Sequence, residues 1–153
     1  MKRIVFLDID GCVNSEKFYN KTKGIKGNFD PDAIKLLNTL KDLNVEVVVS
    51  SSWGEDGVKQ LKNVGLELPI IGHTEHFYQD WLCRGNEIEK WLHDNFDGMS
   101  TKFGKKWQNQ EYNYVILDDD IDMLLGQKDN FIHIDRETGI TEKDIEKIVD
   151  ILK

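Results

Sequence analysis

The chain has 153 residues, 39% apolar and 31% charged, which suits one folded domain with a single core and excludes an intrinsically disordered chain. Twenty Lys and Arg face 28 Asp and Glu, a net charge of −8 that repels phosphate backbones at long range and argues against broad non-specific nucleic-acid binding. No apolar run approaches the roughly 20 residues of a membrane span, the start lacks the apolar stretch of a secretory signal, and Cys12 and Cys83 form no metal-type cluster, so the chain reads as cytoplasmic.

Ile4 to Leu7 is a short apolar run with the β-branched content of a strand buried on both faces. Residues 14–30 are polar and glycine-bearing and read as an excursion loop. Asp30-Pro31-Asp32 opens a helix, with Asp30 as cap and Pro31 in the first turn, and Ile34, Leu37 and Leu40 recur at helical spacing. Val45 to Val49 is a second buried strand, followed by Ser50-Ser51-Ser52-Trp53-Gly54 and a helix over 55–63. Leu68 to Ile71 reads as a third strand, and Gly85 to Phe96 as a helix with Ile88, Trp91 and Leu92 on one face. Residues 97–111 read as loop, Tyr114 to Leu117 as a fourth strand and Phe131 to Ile134 as a fifth. Thr141 caps a last helix ending at Leu152.

Short buried strands alternating with helices predict an α/β fold: a three-layer, Rossmann-like parallel sheet with helices on both faces, in a single domain over 1–153. Ligands of such sheets sit at the carboxyl ends of the strands. Asp8, Asp10 and Gly11 follow the first strand, Ser50, Ser51 and Ser52 the second, and Asp118, Asp119, Asp120 and Asp122 the fourth. Two acidic clusters meeting at one edge repel unless a cation joins them, and all-oxygen donors suit a hard ion such as Mg²⁺. Arg84, just before a helix, is placed to neutralise phosphate and carboxylate charge. Lys102, Lys105 and Lys106 beside Trp107 read first as a solvated loop, and His73 and His76 are poor zinc candidates.

Val5-Phe6-Leu7-Asp8-Ile9-Asp10-Gly11 resembles the first motif of the haloacid dehalogenase-like superfamily of phosphatases. Three further motifs follow in order: Val47-Val48-Val49-Ser50, Arg84 before a helix, and Val115-Ile116-Leu117-Asp118-Asp119. Ser50-Ser51-Ser52-Trp53, Arg84-Gly85-x-Glu87-Ile88 and Asp118-Asp119-Asp120 look like the branch named after "Swiss Army Knife" RNA-repair proteins. Two positions depart from the superfamily pattern: Cys12 stands where Thr is commoner, and Arg84 where Lys is usual.

The resemblance implies a phosphatase in which Asp8 is the nucleophile and forms an aspartyl-phosphate, and Asp10 is the general acid and base. It implies Mg²⁺ held by Asp8, the backbone carbonyl of Asp10, and Asp118 or Asp119, with Asp122 a further candidate. Ser50, Ser51, Gly11 and Arg84 are implied to hold the phosphoryl group. Relatives insert a cap at the site of residues 14–30. Under twenty residues make only a minimal cap, so the site is expected to be open to a bulky phosphorylated substrate, such as a nucleotide or a nucleic-acid end. Small-metabolite phosphatase, non-catalytic module and receiver-like domain are the alternatives. A receiver carries its phosphorylated Asp after strand three, where this chain has Gly72-His73-Thr74.

Overall fold

In a computed structural model the structure describes residues 1–23, 29–78, 81–96 and 111–153. Five strands form one sheet: β1 (Lys2–Leu7), β2 (Val45–Val49), β3 (Ile70–His73), β4 (Tyr112–Asp118) and β5 (Phe131–His133). All pairings are parallel, in the order β3-β2-β1-β4-β5. This is the Rossmann-type order, in which the chain reverses direction across the sheet between β1 and β4; a receiver-type sheet runs 2-1-3-4-5.

Alternation along the strands sorts the core into two layers. Val5, Leu7, Val47, Val49, Val115 and Leu117 point to one face. There they meet α2 (Pro31–Asn38), α3 (Gly54–Asn63) and α5 (Glu142–Leu152) through Ile34 and Leu37, Leu61, and Ile148 and Leu152. Ile4, Phe6, Val48 and Ile116 point to the other face and meet Ile88 and Leu92 of α4 (Arg84–Asn95). Helices thus cover both faces, which is why the strands read as continuous apolar runs.

Several bounds shift by one or two residues, as in β4, which starts at Tyr112 rather than Tyr114; two differences have a distinct physical cause. The third strand begins at Ile70 rather than Leu68, because Leu68 is buried in the core and Pro69 has no N–H to give the ladder; its carbonyl accepts from Val47 N at 2.8 Å. Residues 14–30 are not loop throughout: Glu16–Lys21 forms a short helix, α1, whose cap Ser15 accepts from Phe18 N at 3.2 Å. It buries no residue, so it carries no apolar periodicity for the sequence to display. Lys102, Lys105, Lys106 and Trp107 lie outside the described residues. Among the described residues no helix is long and apolar enough to cross a membrane.

Candidate active site

Strand register builds the site. Leu7 pairs with Val49 on one side and Leu117 on the other, so the residues that follow, Asp8, Ser50 and Asp118, emerge side by side. Backbone bonds fix the row: Ser50 N donates to Leu7 O and Asp8 N to Leu117 O, both at 2.9 Å. The row sits where the sheet changes direction, between β1 and β4, the position at which open α/β sheets bind ligands.

Oxygens of Asp8, Asp118 and Asp119 lie within 4.8 Å of one another. Asp8 and Asp118 are only 7% and 2% exposed. Burial, reinforced for Asp8 by the Asp118 charge, pushes the Asp8 carboxyl well above the usual carboxylate range. Burial does the same to Asp118, against the Asp120 amide and Arg84, which favour its charged form. Asp118 Oδ1 accepts from Asp120 N, while buried Oδ2 has no hydrogen-bond partner. An orphaned buried carboxylate oxygen among clustered carboxylates fits a hard cation with oxygen ligands, as Mg²⁺ is.

Ser50 Oγ is likewise buried without a partner, whereas Ser51 Oγ accepts from Trp53 N at 3.3 Å in the turn entering α3. Gly11 has φ +81°, and a Cβ there would lie 2.4 Å from Asp119 Oδ2. Its amide donates to Asn14 O at 3.2 Å, so what the glycine supplies here is the left-handed turn and the room for Asp119. Arg84 Nε lies 3.7 Å from Asp118 Oδ2, and its Nη1 donates to Glu87 Oε2 at 2.8 Å. Asp122 is drawn away: its carboxylate accepts from Arg84 N at 2.9 Å and its carbonyl from Gly85 N at 3.1 Å, capping α4. Cys12 is buried below the site, its thiol pushed up by burial and by the nearby Asp8 charge, which keeps it an inert thiol.

Four residues in and around the site have no role assigned by the sequence alone, although Trp53 and Glu87 stand in the motifs quoted above. Trp53 Nε1 donates to Asp10 Oδ2 at 2.9 Å. Arg136, in the loop after β5, reaches Asp119 Oδ2 at 3.1 Å. Glu87, 3% exposed, holds Arg84 and also accepts from Phe77 N at 2.9 Å. Tyr19, on α1, lines a cavity beside Asp10. Glu87 had a signal in its i,i+3 spacing from Arg84; the other three are brought in by tertiary packing.

A doubly wound parallel sheet with buried carboxylates and a partly buried arginine at its switch point defines a Rossmann-like α/β protein. The chain belongs to the family described as the HAD domain in Swiss Army Knife RNA repair proteins, whose model matches residues 4–145. No curated protein and no solved structure matches it significantly.

Proposed function

We propose that the chain is a Mg²⁺-dependent phosphohydrolase that cleaves phosphomonoesters through an aspartyl-phosphate on Asp8, with nucleotides or polynucleotide ends as substrate. The observation that carries this reading is the convergence of Asp8, Asp118 and Asp119 oxygens within 4.8 Å, beside the unpartnered Ser50 hydroxyl. The family match supports it. The reading takes residues 1–153 as one catalytic domain and the protein as cytoplasmic, in keeping with two unpaired cysteines.

Asp8, Asp118, Asp119 and the Asp10 carbonyl are the groups proposed to hold the metal. Bound there, Mg²⁺ supplies positive charge that favours the ionised form of Asp8 and offsets charge on the phosphoryl oxygens. Asp8 then attacks phosphorus, the phosphorus–leaving-oxygen bond breaks, and Asp10 donates its proton to the departing oxygen. In the second half Asp10 takes a proton from water as the water attacks phosphorus, the bond to Asp8 breaks, and inorganic phosphate leaves. Ser50 and Arg84 orient the phosphoryl oxygens; Arg84 is pre-aimed by Glu87, and its planar fork suits a bidentate contact. Phosphoryl transfer asks mainly for such positioning and charge neutralisation.

The test is release of inorganic phosphate from phosphorylated metabolites, nucleotides and 3′- or 5′-phosphorylated oligonucleotides, with Mg²⁺ or with chelator. Mg²⁺-dependent turnover that disappears in Asp8→Asn supports the reading. Chelator-insensitive turnover, or turnover retained by a folded Asp8→Asn protein, overturns it.

A further inference from the structure

A cavity of about 700 Å³ opens against Asp10, and its lining includes Asp119 but neither Ser50 nor Arg84. A general acid touches the leaving oxygen, so on the phosphohydrolase reading, on which this inference rests, the cavity that Asp10 lines is where the rest of the leaving group goes. We propose that this cavity is a leaving-group subsite that takes a single neutral nucleoside, recognised by its base against Tyr19 and Trp53.

Three features select that class. The first is aromatic surface. Tyr19 projects from α1, a helix that buries nothing in the core, and is 42% exposed; Trp53 adds its half-buried ring. Every base has a π face, so two aromatic side chains recognise nucleosides without demanding one base. The second is the pair of side-chain amides, Asn14 and Asn20, which line the same cavity and match the donor–acceptor edges of bases.

The third feature is charge, and it separates a single nucleoside from a continuing strand. Asp10, Glu16 and Asp119 line the cavity against one guanidinium, Arg136, already bonded to Asp119. With Asp10 on the leaving oxygen and Asp119 on the metal, Glu16 is the carboxylate left facing the cavity, and the guanidinium is already paired, so the described residues of the lining offer a second phosphate no free cation. The net charge of −8 acts in the same direction at longer range.

The experiment compares kcat/KM, with Mg²⁺, for adenosine monophosphates (3′ and 5′), ribose 5-phosphate and a phosphate-ended adenosine tetranucleotide. The better adenosine monophosphate should exceed ribose 5-phosphate by about 10- to 100-fold, the value of stacking one base. The tetranucleotide should gain no more than about threefold over it, with a shallow salt dependence. Tyr19→Ala should lower the ratio of adenosine monophosphate to ribose 5-phosphate by about tenfold, and Tyr19→Phe, which keeps the ring, should retain it. Equal use of ribose 5-phosphate overturns the proposal, as does a ratio unmoved by Tyr19→Ala. A tetranucleotide preferred by more than about tenfold with steep salt dependence makes the cavity part of a strand-binding groove instead. Tryptophan fluorescence of Asp8→Asn protein, titrated with the same adenosine monophosphates and ribose 5-phosphate, separates the two readings. Selective binding of the nucleotide without any turnover by the unsubstituted chain keeps the subsite and removes the phosphohydrolase. Turnover of other esters without selective binding does the reverse.

Discussion

The indole Nε1 of Trp53 donates a hydrogen bond to Asp10 Oδ2 at 2.9 Å, across 43 residues of chain. The ring is seated at the same time by an edge-on contact with Phe29, centroids 5.6 Å apart. Asp10 is exposed and three residues beyond β1, so this bond, with a longer one of 3.5 Å from Asn14 Nδ2 to Oδ1, fixes the direction in which its carboxyl points. A proton donor helps only when held within hydrogen-bond reach of the leaving oxygen.

Asp10→Asn should therefore lower kcat/KM for an alkyl phosphate by about 10²–10⁴-fold, and by much less for a nitrophenyl ester, whose leaving oxygen needs no proton. Trp53→Phe keeps the packing against Phe29 but removes the N–H, and should show the same leaving-group pattern at about tenfold. In an Asp10→Asn background the tryptophan change should add nothing, since the two act through one carboxyl. A leaving-group series on the two single variants and the double variant checks this; equal losses for both ester types would remove Asp10 from the acid's role.

Asp8→Asn should abolish turnover, by on the order of 10⁴-fold or more if Asp8 is the nucleophile. Its effect on stability should have the opposite sign. The asparagine removes a carboxyl that shares a buried cluster with Asp118, so metal-free protein should melt higher at pH 8 than the unsubstituted chain. Calorimetry in chelator and a phosphate-release assay read the two effects separately.

The same two carboxyls set a pH dependence. Burial raises Asp8 to about 8 and Asp118 to about 7, against about 4 in an unfolded chain. Between those limits the folded state binds more protons than the unfolded one, so stability falls as pH rises. Metal-free protein should thus lose Tm steadily from pH 5 to pH 8.5. Mg²⁺ should restore Tm, and more at pH 8.5 than at pH 5, because it replaces the protons; Ca²⁺, laxer in geometry, should restore activity poorly. A metal-free Tm that rises over this range would contradict the buried cluster.

Glu87→Gln should separate anchoring from chemistry. Glu87 accepts from Arg84 and from the Phe77 amide, and Arg84 is 17% exposed. Losing the charge leaves a largely buried guanidinium with Asp118, 3.7 Å away, as its remaining carboxylate, at a cost of about 1–3 kcal/mol. Arg84 should also lose its aim, raising KM for phosphomonoesters more than it lowers kcat. Melting curves and steady-state kinetics of the variant check both.

Much of the fold was legible because burial on both faces writes itself into a strand. Val45–Val49 has the same bounds in sequence and structure, since both layers demand apolar side chains there. The helix caps Asp30 and Thr141 were legible for the complementary reason that their partners lie within three residues. β3 starts two residues later than its apolar run suggests because its pairing starts after Pro69 and crosses a register shift between Val47 and Val48, a relation to β2 that local pattern does not contain. α1 leaves no apolar pattern in the sequence because no face of it is buried.

The sequence by itself determined the acids and their places: Asp8, Asp10, Asp118 and Asp119 each follow an apolar run, and strand ends are where a parallel sheet exposes polar groups to a ligand. Only the tertiary structure decided how those acids stand relative to one another and which contacts each one makes. Parallel register puts Asp8, Ser50 and Asp118 abreast, and a left-handed Gly11 admits Asp119 to the same cluster. Capping of α4 takes Asp122 out of it, and an indole from the β2–α3 turn claims Asp10. Side-chain chemistry is local and survives in the letters of the chain. Which oxygen is left without a partner depends on contacts between residues tens of positions apart, and those exist only once the strands have paired.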